Sequence, residues 1–254
     1  NKGGACAVGQ ATILSLYDSG RLAAPQSARK ATTWTKLDQE VQVKLNNIST
    51  SGGKIVLLTG SVNGPTSLKA INEFKAKYTS AQHIMYDAVS FSALIDAHKQ
   101  VFGIDAIPGY QFSEAGAVVS VGADFLGTWI SPIEYAGQYA VTRRLGKNKK
   151  KMSRHYQFET NLSLTGSNAD YRTPIKPSQE GLFVAALYAA VTGNSINVTA
   201  VKNEKIDKAA ADLLANKGQS LVVSASNDPS VQILINEINK ALGNCGVTVD
   251  ITKP

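Results

Sequence analysis

Four short, unbroken apolar runs constrain this chain most. They are Lys54-Ile-Val-Leu-Leu-Thr59, His83-Ile-Met-Tyr86, Ala117-Val-Val-Ser-Val121 and Leu221-Val-Val-Ser224. A strand that is apolar on both sides needs cover on both sheet faces. Helical segments separate the runs: 34–48, 65–78, 91–102, 132–145, 179–191, 206–215 and 230–242. Strands 155–158 and 247–249 and a short helical stretch at 11–17 complete the reading. This alternation predicts an α/β fold with mainly parallel sheets, helices on both faces and right-handed crossovers. Ligands of such folds sit at the carboxyl ends of the strands. That directs attention to loops 60–64, 87–90, 122–132, 159–178 and 225–229.

With 43% hydrophobic and 18% charged residues, the chain can fill a core and is not a disordered segment. Two cysteines in 254 residues exclude a disulfide scaffold and a self-contained zinc or iron–sulfur site. The net charge is +7, partly gathered in Gly146-Lys-Asn-Lys-Lys-Lys-Met-Ser-Arg154. Such a tract reads first as a solvated loop and second as a surface for anionic partners. It contains no aromatic residue, so stacking on single-stranded bases is unsupported and no nucleic-acid partner is expected. The longest apolar run, Leu182 to Val191, is half of what a membrane span needs. The chain has no signal peptide and reads as a piece of a longer protein.

Several chemistries have no motif here. There is no phosphate-binding Gly-x-x-x-x-Gly-Lys loop and no Gly-x-Ser-x-Gly elbow. His83, His98 and His155 lack partners at metal-ligand spacing. Gly60-Ser-Val-Asn-Gly64 reads as a tight strand-to-helix turn, with backbone N–H groups that could meet an anion. Asp124, just after a strand, can bind a sugar hydroxyl or a guanine edge, or cap the next turn. Cys245 reads as a small hydrophobe, and the Asn-x-Ser/Thr triplets at Asn47, Asn161 and Asn197 as chance.

Longer passages resemble a family. Asn1-Lys-Gly-Gly-Ala-Cys6-Ala-Val-Gly9, then Leu16-Tyr-Asp-Ser-Gly-Arg21-Leu-Ala-Ala-Pro25, is similar to a passage of molybdopterin oxidoreductases of the dimethyl sulfoxide reductase superfamily. There Asn-x-Gly-x-x-Cys-x-Lys/Arg-Gly carries a cluster cysteine. Ala117 to Phe125, Thr173-Pro-Ile-Lys-Pro177 and Ile238 to Gly246 resemble later segments of that family. Residues 9–18, 122–132 and 152–170 look most like one branch, the large B subunits of bacterial alternative complex III.

The resemblance implies two Rossmann-like three-layer lobes. One is discontinuous, 48–100 with 205–254, and the other, 101–204, is inserted in it. Residues 1–47 would be the tail of a missing cluster-type domain. It implies a molybdopterin guanine dinucleotide crevice near Gly122, Asp124, Thr128, Trp129, Asn168 and Lys176, and makes Cys6 an orphan iron–sulfur ligand position. Ser90 or Asp87 aligns roughly with the metal ligand. Three departures point to loss of the cofactor. Val8 replaces Lys or Arg, Asp124-Phe125 replaces Asn-Pro, and Ser178-Gln-Glu180 replaces Gly-Thr-Asp. Carboxylates at 124 and 180 would repel a pyrophosphate.

The expected role is therefore a cofactor-free structural domain of a respiratory quinol:acceptor complex. It would face the periplasm and support an iron–sulfur half, cytochrome c subunits and quinol-binding membrane subunits. Its crevice would be filled by Phe125, Trp129 and Tyr171. Two alternatives stay open: an active molybdenum bis-pterin oxidoreductase using Lys176 for a phosphate, and a periplasmic small-ligand-binding protein.

Overall fold

A computed structural model describes residues 3–147, 150–194 and 204–252. Asn1 and Lys2 of the N-terminal motif, 148–149 of the basic tract and Asn197 lie outside them. The chain forms two compact units, one of residues 7–90 and one of 1–6 with 91–254.

The smaller unit begins with α1 (Ala7–Ala11), which tightens into a 3-10 turn over Thr12–Tyr17. The hairpin β1 (Gln26–Ser27) and β2 (Lys30–Ala31) follows. Helix α2 (Trp34–Thr50) starts at Thr33, whose side chain accepts a hydrogen bond from the Lys36 amide. Strand β3 (Ile55–Thr59) and helix α3 (Pro65–Lys77, Pro at its first turn) lead to β4 (Ala81–Met85), parallel to β3. Its small core is Ile55, Tyr78 and Ala81, with Leu45 and Phe74 against them. No residue of 3–54 is buried, and Val56, Leu58 and Ile84 of the sheet are exposed. The amphipathic reading of α2 thus holds only in part: Leu37 and Leu45 are half-buried, but Val41 is exposed.

The larger unit holds most of the buried side chains. Helix α4 (Ser92–Phe102) ends at Gly103, whose φ of +74° costs a residue without Cβ little. Strand β5 (Gly109–Tyr110), β6 (Ala117–Val121), α5 (Pro132–Arg143), β7 (Arg154–Glu159), the single turn α6 (Leu164–Ser167) and β8 (Tyr171–Pro174) come next. Then follow α7 (Glu180–Thr192), α8 (Glu204–Ala215), β9 (Ser220–Ser224), α9 (Pro229–Ala241) and β10 (Val249–Asp250). The parallel sheet runs β8-β7-β6-β9. Strands β5 and β10 pair antiparallel apart from it.

Every residue of β6 and β9 is buried, as unbroken apolar runs require. Their side chains alternate between two cores. Val119, Val121 and Val222 join Val184, Leu187, Leu213 and Ile235 of α7, α8 and α9. Val118, Leu221 and Val223 join an aromatic cluster of Phe112, Phe125, Trp129, Tyr135 and Tyr139.

The α/β class with parallel sheets is the one predicted. The sequence division groups 205–254 with 48–100, whereas β9 stands in the sheet of β6 and β7, with α9 packed on it. The physical reason is burial: β9 is apolar on both faces, and pairing with β6 places it between two helical layers.

Candidate cofactor crevice

In this sheet β7 and β8 follow β6 on one side and β9 lies on the other. Strand order therefore reverses between β6 and β9, and the carboxyl ends of these strands border the crevice where α/β folds bind ligands. Gly122 ends β6 with φ +68°, its amide donating to the Phe158 carbonyl at 2.8 Å. A Cβ there would lie 3.4 Å from Glu180 Oε1, so the carboxylate at the start of α7 lies against this glycine. Burial pushes the Glu180 carboxyl up from its ordinary value. Among the described residues Glu180 has no cation within ion-pair distance. Gly181 next to it approaches Val231 of α9, so the first turns of α7 and α9 lie side by side.

Asp124 is occupied by the protein itself. Its Oδ1 accepts the Thr165 amide at 3.0 Å and the Thr165 hydroxyl at 2.7 Å. Its carbonyl accepts the amides of Gly127, Thr128 and Trp129 at 2.9–3.0 Å. The carboxylate therefore ties the loop after β6 to the first turn of α6 rather than capping the next turn, whose amides are taken by the backbone carbonyl. Gly127 is required there, because a Cβ would fall 2.1 Å from Asp124 Oδ2.

The other expected crevice residues disperse. Trp129 is buried in the aromatic cluster, 5.1 Å from Tyr110 ring to ring, and its Nε1 has no partner among the described residues. Phe125 is fully buried on Phe112 at 4.3 Å. Both are core, in the cluster that packs on Val118, Leu221 and Val223, and do not fill the crevice. Tyr171 stands at the amino end of β8, stacked on Tyr156 and away from the strand ends that border the crevice. Thr128 stays beside Asp124, exposed and with its hydroxyl 3.5 Å from Asp124 Oδ2, and Asn168 is exposed with Nδ2 donating to the Leu164 carbonyl at 2.8 Å. Lys176 is exposed ahead of the 3-10 turn 177–179. Cys6 is exposed, and no group of three metal-ligating side chains exists among the described residues. Asp87 in the smaller unit takes the Ser61 amide at 3.0 Å and hydroxyl at 2.5 Å, which hold its carboxyl below the usual range.

Sequence reasoning missed the polar cluster at the end of β7. Glu159 is buried and receives Arg172 Nε at 2.6 Å, Ser163 Oγ at 2.5 Å and Gln157 Nε2 at 3.1 Å. Burial alone would raise its pKa. The hydrogen bonds from Ser163, Arg172 and Gln157 outweigh that and hold the carboxyl low. Gly166 completes the fit, since a Cβ there would lie 1.9 Å from Glu159 Oε1. The signal available was Glu159 directly after the strand read at 155–158, on the same face as His155 and Gln157. On the same face of β7, His155 is buried between Tyr139 at 3.0 Å and Gln157 at 3.3 Å, and burial lowers its pKa to about 4.

No protein-family profile matches the chain, and no curated protein matches it. Solved structures do. Acetylene hydratase from Pelobacter acetylenicus superposes with TM-score 0.63 at 12% identity, over 96% of this chain and 38% of that one. The formyltransferase/hydrolase complex from Methylorubrum extorquens, in complex with methylofuran, superposes with TM-score 0.55 at 12% identity, over 82% of this chain and 55% of that one. At such identity the likeness is one of fold. The chain spans about two fifths and just over half the length of these two relatives.

Proposed function

We propose that this chain is a molybdopterin-oxidoreductase-like domain that acts as a cofactor-free structural element of a respiratory quinol:acceptor complex. It would support an iron–sulfur half outside this chain, beside cytochrome c and quinol-binding subunits on the periplasmic side of a membrane. The fold shared with acetylene hydratase, a molybdopterin enzyme, supports the first part. The complex, its location and its partners rest on the resemblance of the sequence motifs to the alternative complex III branch. No helix among the described residues is long and apolar enough to cross a membrane, which fits attachment through partners.

The Glu180 carboxylate against Gly122 carries the cofactor-free reading. A guanine dinucleotide brings a pyrophosphate, which α/β folds hold at helix N-termini beside a glycine turn. Here the glycine turn faces a carboxylate without a cationic partner. A unit charge pair about 4 Å apart interacts by about 4 kcal/mol near a protein surface, and for like charges this opposes binding. Asp124, the residue that could read the ligand edge, is consumed by Thr165. These residues do not fit the dinucleotide.

The test is elemental analysis for molybdenum, tungsten and iron, with pterin extraction, on the full-length protein purified folded from its native membrane. Iron without molybdenum, tungsten or pterin is expected. Stoichiometric molybdenum or tungsten with pterin would overturn the proposal and make the crevice an active site.

A further inference from the structure

Tyr171 opens β8 with its ring stacked on Tyr156, the two centroids 4.9 Å apart. Arg154 and Tyr156, two apart on β7, share one face of the strand, and the register sets Tyr171 beside Tyr156. Helix α8 packs against that face and brings two lysines to the ring. Arg154, Lys205 and Lys208 lie 5.8, 5.6 and 4.2 Å from its centre. Lys208 Nζ donates to the Tyr171 oxygen at 2.8 Å, and Arg154 Nη1 donates to it at 3.2 Å. The oxygen thus accepts from two cations, and among the described residues nothing accepts its own proton.

The neighbouring carboxylates are engaged elsewhere. Asp170 holds Arg143 at 2.6 Å, and Glu204 lies 3.4 Å from Lys205 Nζ. Asp212 accepts the Tyr156 hydroxyl at 2.5 Å and lies 3.5 Å from Arg154 Nε. A phenol that accepts from two cations and donates to no partner is stabilised in its ionised form. The hydrogen bond from Lys208, then the charges of Lys208 and Arg154, pull the Tyr171 pKa below the ordinary tyrosine value. Burial pushes Tyr110, Tyr135, Tyr139 and Tyr156 the other way. Tyr171 is half-buried and, with Lys151, Met152 and Arg154, lines a cavity of about 600 Å³, which leaves room for a small reactant. The ionised oxygen is the nucleophilic form of a tyrosine.

We infer that Tyr171 is a modification site, a phenol held by cations that takes an acyl, phosphoryl or sulfonyl group from an electrophile with an anionic leaving group. In the transfer the phenolate oxygen bonds to the carbon, phosphorus or sulfur centre. The bond to the leaving group breaks with its electron pair, and the phenol proton passes to water. The same cations attract the departing anion. The inference does not depend on whether the crevice holds a cofactor.

The probe is benzenesulfonyl fluoride, which releases fluoride as it forms an aryl sulfonate. The whole protein is treated at about pH 8, below the ordinary tyrosine pKa, and peptide mass mapping follows each tyrosine with time. Tyr17 and Tyr86, 83% and 69% exposed, serve as internal comparators. Tyr171 is expected to react at least about threefold faster than either, because the ionised fraction sets the rate. Lys208→Met should slow Tyr171 by about threefold without slowing the comparators, and Lys208→Arg should restore it. An unchanged thermal midpoint for variants of the exposed Lys208 separates a lost cation from a lost fold. In ultraviolet titration, Tyr171→Phe should remove the earliest tyrosine ionisation. Equal rates at the three tyrosines, labelling of Lys208 in place of Tyr171, or indifference of the Tyr171 rate to Lys208→Met would each overturn the inference.

Discussion

Replacing Asp124 by alanine separates a ligand-reading aspartate from a fold-holding one. In the structure its carboxylate accepts two hydrogen bonds from Thr165, at 2.7 and 3.0 Å. Hydrogen bonds to charged groups contribute about 1.5–3 kcal/mol each. Asp124 is half-buried, so the low end applies and the pair amounts to about 3 kcal/mol. Against total stabilities of about 5–15 kcal/mol that is a large loss. Urea unfolding would be followed by tryptophan fluorescence in a Trp34→Phe background. Trp34 is exposed, whereas Trp129 is buried on the very loop that Asp124 organises. The Thr165→Val partner and the double variant close a cycle, with an expected coupling of about 1–3 kcal/mol. Thr128→Ala, exposed on the same loop, should cost under about 0.5 kcal/mol. A loss under about 0.5 kcal/mol for Asp124→Ala, with no coupling to Thr165, would refute the structural role.

Other consequences follow from the same coordinates. Burial lowers the His98 pKa from 6.5 to about 4, and its Nδ1 has no partner among the described residues. Between those values the unfolded chain binds a proton that the folded chain does not. Stability should therefore rise as pH rises through that window, and be lost as pH drops from 6.5 towards 4, by on the order of 2–3 kcal/mol for this residue. His98→Phe should flatten the slope in urea melts at stepped pH, and an unchanged slope would contradict the assignment. Gly127→Ala, forced against Asp124, should lower the thermal midpoint sharply. Gly137→Ala, with nothing within 4 Å of its new Cβ, should raise stability by about 0.5–1 kcal/mol in calorimetry. Glu180→Lys replaces the carboxylate at Gly122 with a cation, so pyrophosphate should then raise the thermal midpoint while leaving that of the native chain unmoved. A rise in the native protein would show that the carboxylate does not exclude the anion.

The sequence by itself determined the layers and most of the elements. Strand β6 spans the predicted 117–121, and β3, β7 and β9 fall within a residue or so of the strands read at 54–59, 155–158 and 221–224. An unbroken apolar run is a local signature, and it marked β6 and β9; β7 is buried on both faces although it carries His155, Gln157 and Glu159, and β3 is apolar yet leaves Val56 and Leu58 exposed. The run of β6 also marked the loop after it as the place to look. Tertiary structure decided the rest. Strand β8, Tyr-Arg-Thr-Pro, carries no strand pattern and exists because β7 offers it an edge. The pair β5 and β10 joins two-residue segments far apart in the chain, and β10 falls at 249–250 rather than 247–249. The helix read at 11–17 is α-helical only over 7–11, then 3-10. Most of all, the crevice could not be read from residue types. Asp124 and Glu180 are both carboxylates beside the carboxyl end of β6, one in a loop and one opening α7, yet one is consumed by Thr165 and the other lies against Gly122 without a cation among the described residues. Which fate befalls a carboxylate depends on what the fold brings within about 3 Å of it, a distance that sequence spacing does not encode.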